Sequence, residues 1–129
     1  MSEEEYRGWL EASEIDVKAA QATLQAGVFS ACVFHCQQAV EKRLKGLVAW
    51  SGKPRFTHSL TDLIEGVVGS FEEIPAEVKE ALAELDLHYI QSRYPGITSL
   101  KKLYSEKKAK EAIEWMQQVF QFLDNLHMT

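Results

Sequence analysis

Between residues 88 and 96 the chain reads His88-Tyr89-Ile90-Gln91-Ser92-Arg93-Tyr94-Pro95-Gly96, an imidazole, two phenols and a guanidinium at the end of a helical pattern. Arginine grips a phosphate bidentately, and a tyrosine ring can stack on a base. The same spacing also lets Tyr89 fill a core, Arg93 neutralise helix C-terminal carbonyls and Tyr94-Pro95 stop the helix. A second group is Gln38, Glu41, Lys42 and Lys45, whose separations of three and four put them on one side of a helix. Lysines so placed can meet phosphates, although a solvated face is the commoner outcome. Thr57-His58-Ser59 opens another helix, where free backbone N–H groups favour anions and His58 adds a group titrating near neutrality. His58 could equally decorate a cap.

Other clusters carry weaker signals. Cys32, His35 and Cys36 lie within about one turn, with His58, His88 or His127 as a conceivable fourth zinc ligand. Structural zinc sites draw on separated pairs in loops, so the two cysteines read better as small core hydrophobes, and no metal is expected. Arg43 projects into an apolar arc and must snorkel, pair with a carboxylate, or face a second subunit. Lys101, Lys102, Lys107, Lys108 and Lys110 crowd the start of the last helix, where positive charge opposes the dipole. They fit a solubilising role better than a nucleic-acid patch.

These side chains need helices to position them, and the sequence supplies five. The first is expected over roughly residues 2–25, with Tyr6, Trp9, Leu10, Val17, Ala20 and Leu24 on one side. The second spans roughly 29–51, with Val33, Cys36, Val40, Leu44 and Leu47 as its apolar arc and Gly52 and Pro54 beyond its end. His35, Gln38, Glu41, Lys42 and Lys45 occupy the opposite arc. A third runs from about Ser59 to Val68, capped by Thr57 or Ser59 with Asp62 completing a capping box. Pro75, as the first helical residue, opens a fourth reaching about Ile90, and the last covers about Ser105 to Leu126.

The whole chain, residues 1–129, reads as one all-α domain, an up-and-down antiparallel bundle of about five helices. Three prolines and seven glycines are too few for a many-turned β sandwich. The net charge of −5 excludes a global basic field for nucleic acid, although residues 31–60 and 91–129 are locally positive. No apolar run approaches the roughly 18 residues a membrane-spanning helix needs. The acidic Ser2-Glu3-Glu4-Glu5 start is unlike a signal peptide, so a cytoplasmic location is expected.

Three segments together resemble a HEPN domain, the nucleotide-binding helical domain of higher eukaryotes and prokaryotes. They are Phe34-His35-Cys36-Gln37-Gln38-Ala39-Val40-Glu41-Lys42-Arg43-Leu44-Lys45-Gly46-Leu47, Thr57-His58-Ser59-Leu60-Thr61-Asp62-Leu63 and Arg93-Tyr94-Pro95-Gly96. Their order and separation fit that family over nearly the whole chain. The resemblance implies a bundle that commonly dimerises and is often encoded beside a minimal nucleotidyltransferase, some members being toxins that cut RNA. It makes Gln38, Glu41, Lys42, Lys45, His58, Arg93 and Tyr94 the expected cleft residues. RNA-cutting members resemble one another in an arginine followed by four to six residues and a histidine. None of His35, His58, His88 and His127 lies at that offset here, and the nearest arrangement, His88 followed by four residues and Arg93, is reversed.

The expected function is therefore a non-catalytic module that binds a nucleotide (ATP or GTP) or RNA and works with a nucleotidyltransferase partner, with a toxin–antitoxin system as the setting. Arg93 with Lys42 or Lys45 would hold phosphates, Tyr94 would stack on the base and His58 would give a hydrogen bond; no cofactor is expected. One alternative is a metal-independent endoribonuclease with His88 as base and Arg93 as phosphate clamp. The other is a dimeric scaffold whose polar clusters are only caps and solvated faces.

Overall fold

Apolar residues recurring every three or four positions need a partner surface, and helices supply it to one another. A computed structural model of the chain describes residues 3–52, 56–94, 96 and 99–126. The helices are α1 (Glu3–Gln25), α2 (Phe29–Trp50), α3 (Leu60–Val68), α4 (Ala76–Gln91), α5 (Leu100–Leu103) and α6 (Glu106–Asp124). No strand occurs among the described residues, and the architecture is an all-α antiparallel bundle. Ser2, Pro54, Pro95 and His127, which entered the sequence reading, lie outside the described residues.

The five long helices fall where periodicity predicts them, and their ends have local causes. Gly27 and Gly52 take φ of 78° and 79°, the left-handed conformation that closes α1 and α2. Ser59 caps α3, its hydroxyl accepting from the Asp62 N–H at 3.3 Å, while Thr57 Oγ1 accepts from the Ser59 N–H at 3.0 Å. Ser105 caps α6 in the same way, accepting from the Lys108 N–H at 3.2 Å. Pro75 differs from expectation, standing just before α4 in extended conformation (ψ 146°). Its carbonyl accepts from the Val78 and Lys79 N–H groups, so it acts as the flanking residue and Ala76 is the first helical one. The short α5 and a 3-10 turn over Phe71–Glu73 were not expected, being too short to show a period.

Helix α2 is the axis of the bundle, and α1, α3, α4 and α6 all pack on it. Its predicted arc of Val33, Cys36, Val40, Leu44 and Leu47 is buried against Leu60, Leu63 and Ile64 of α3, Leu82 and Leu85 of α4, and Met116 and Val119 of α6. Helix α1 approaches closely because α2 offers small residues there. A Cβ on Gly46 would fall 2.8 Å from the Trp9 Cβ, and the Ser13 hydroxyl donates to the Ala39 carbonyl at 2.6 Å. The consequence for function is that one edge of α2, between α1 and the α3–α4 side, stays uncovered.

Candidate functional site

Phe34, His35, Gln38, Lys42 and Lys45 lie along that uncovered edge, all half-buried. Two carboxylates flank it. On the α3–α4 side Glu41 is buried, 4% exposed, unlike its expected place on a solvated arc. A buried carboxylate needs donors, and it has three. Gln37 Nε2 donates to Oε1 at 3.1 Å, Lys45 Nζ lies 3.2 Å from Oε2, and His58 Nδ1 is 3.2 Å from both oxygens. Gln37, itself fully buried, accepts from Gln38 Nε2 at 2.7 Å. Glu41 thus cannot reach a ligand itself; it fixes Lys45 and His58, whose side chains are 21% and 63% exposed.

His58 carries the site onward to α4. Its ring stacks on Tyr89 at 5.4 Å between centroids and 16° between planes. The Arg93 guanidinium lies 4.6 Å from the Tyr89 ring centre, 5.2 Å from Phe34 and 5.1 Å from Tyr94. It pairs with no carboxylate among the described residues. The loop bearing His58 is anchored from behind by Asp86 of α4, which accepts from the Leu60 N–H at 2.9 Å and the Thr61 N–H at 3.5 Å. Burial pushes the Asp86 carboxyl above its ordinary value, against the pull of those N–H groups.

Gln38, Glu41, Lys45, His58, Arg93 and Tyr94 therefore form one connected surface. Lys42 belongs to its other margin. There Asp16 of α1, 5% exposed, binds both Lys42 Nζ and, at 2.8 Å, His35 Nδ1. His88 lies elsewhere, its Nδ1 2.8 Å from the Tyr104 hydroxyl and its ring stacked on Trp115. Burial, then nearby Lys108, holds this imidazole below its ordinary value, and burial pushes Tyr104 up to about 12. His88 and Arg93 share no partner among the described residues. Arg43 takes the bland course, pairing with Asp124 and lying over the Phe120 ring. Cys32 and Cys36 are buried in the core while His35 faces Asp16, so these three soft ligands do not converge. No helix among the described residues is long and apolar enough to cross a membrane.

Sequence reasoning missed Gln37, Asp16, Asp86 and the role of Phe34. A signal existed for Asp16, because Ser13, Asp16 and Ala20 share one face of α1 at spacings of three and four. Beside His58, the described residues Trp9, Lys45, Val48, Ala49, Phe56 and Thr57 line a cavity of about 430 Å³.

An all-α antiparallel bundle is the class that the fold defines, and the comparisons agree with it. The HEPN domain family model matches residues 6–126, and the chain belongs to the HEPN family. TT1696 from Thermus thermophilus is similar at 31% identity and a TM-score of 0.80, covering 92% of this chain and 95% of that one. ST0689, an archaeal HEPN homologue, is similar at 25% identity and a TM-score of 0.75, covering 92% of this chain and 94% of that one. No curated protein matches the sequence.

Proposed function

We propose that this HEPN protein binds a nucleotide along the uncovered edge of α2, with phosphates held at Arg93, and that it does so without catalysing a reaction. The observation that carries the reading is the state of the Arg93 guanidinium: flanked by three rings, exposed, and with no carboxylate among the described residues taking its charge. Ring contacts orient a guanidinium without satisfying its N–H donors, which leaves them for a planar anion. Lys45 and His58 extend the positive margin, and Tyr94 walls it on one side. Binding ATP or GTP in this way suits a module that serves a nucleotidyltransferase partner, within a toxin–antitoxin system, as a homodimer in the cytoplasm.

Calorimetry tests the reading. Wild type should bind ATP or GTP, and Arg93→Ala should weaken binding about tenfold or more, the loss expected for a charge-assisted bidentate contact. Absence of binding by the wild type overturns it. The endoribonuclease alternative has less support, because His88 is held by Tyr104 and Trp115, apart from Arg93.

A further inference from the structure

The cavity bounded by Trp9, Val48, Ala49, Phe56 and Thr57 lies next to the phosphate-binding surface but has played no part in it. Its volume, about 430 Å³, falls within the range of small-molecule sites. Its walls are apolar, and two of them are aromatic rings. Phe56 is 99% exposed, so a flat partner laid on the ring would take apolar surface out of water. Of the polar lining groups, His58 is shared with the site above, and Lys45 Nζ stands 6.0 Å from the Trp9 ring centre. An occupant matched to this lining has a flat, largely apolar end and an anionic end leaving past Lys45 and His58. Arg93 is two ring contacts further on, through Tyr89.

We propose that this cavity seats the base of the bound nucleotide, with Trp9 and Phe56 as its stacking surfaces and the phosphates running past Lys45 and His58 to Arg93. The inference rests on the nucleotide-binding reading and departs from the sequence expectation that Tyr94 stacks on the base. Tyr94 already lies against the Arg93 guanidinium, and more than half of its surface is open to solvent. The cavity offers walls from α1, α2 and the loop before α3.

The test compares ATP and inorganic triphosphate as probes on folded wild type, Ala49→Phe and Trp9→Ala. Ala49→Phe fills the cavity from the half-buried edge of α2 without disturbing the Trp9–Gly46 contact, so it covers the case in which Trp9→Ala fails to fold. Ala49→Phe and Trp9→Ala should each weaken ATP binding about tenfold or more, the loss typical of a stacked base. Both should leave triphosphate binding within about twofold of wild type. If wild type binds ATP through Arg93 but Ala49→Phe binds it equally well, the base lies elsewhere and this inference falls while the nucleotide reading stands. A matching loss of triphosphate binding in the cavity variants also overturns it. If wild type binds neither probe, the nucleotide reading itself fails, and the inference with it.

Discussion

Arg43 and Arg93 have the same side chain and opposite fates, and the difference is who else is present. Arg43 finds Asp124 across the α2–α6 contact, whereas among the described residues Arg93 finds rings and no carboxylate. Helical spacing put Lys42 on a polar face but could not name its partner, since Lys42 and Asp16 are 26 residues apart and no local spacing links them. Glu41 was legible as a helix-face residue but not as a buried one, because its burial depends on His58 and Gln37 closing over it. A prediction at this scale concerns His88. Its imidazole is held below the ordinary 6.5, mainly by burial, so unfolding takes up a proton in the window between the two values. Its contribution to stability is complete above about 6.5 and is lost as pH falls through the lowered folded value. Thermal melts from pH 7.5 to 5 should therefore fall more steeply for wild type than for His88→Gln, and parallel curves would show that the histidine is not held in that way.

The elements were the most legible layer. Helical periodicity placed all five long helices, because each buries a stripe against its neighbours and the stripe is written locally in the sequence. What periodicity could not give was the distance between helices. That is set by Ala39 and Gly46 on α2, which admit Ser13 and Trp9 of α1 and so create both the Asp16 margin and a wall of the cavity. Gly46→Ala should gain up to about 1 kcal/mol in helix propensity. It should lose about 1–3 kcal/mol by forcing Trp9 away from a 2.8 Å contact that backbone and Cβ atoms cannot relieve cheaply. The net expectation is a lower melting temperature by calorimetry, with Gly46→Val lower still. A Gly46→Ala protein melting at or above wild type would mean that α1 does not sit so close.

At the scale of the whole molecule, acidic and basic segments alternate along the chain, and the fold pairs Lys42 with Asp16 and Lys45 with Glu41 along the α2 edge. The proposed homodimer should return twice the chain mass in light scattering coupled to size exclusion, and a monomer would argue against it. The central claim is that one ligand spans the α2 edge from the Trp9 cavity to Arg93. Titrating ¹⁵N-labelled protein with ATP and following the amide resonances tests it most directly. The account predicts shifts concentrated at Gln38, Lys45, Thr57, His58 and Arg93, with Lys107 and Lys110 unmoved. Shifts confined to the lysines around α5 and the start of α6, or no shifts at all, would contradict it.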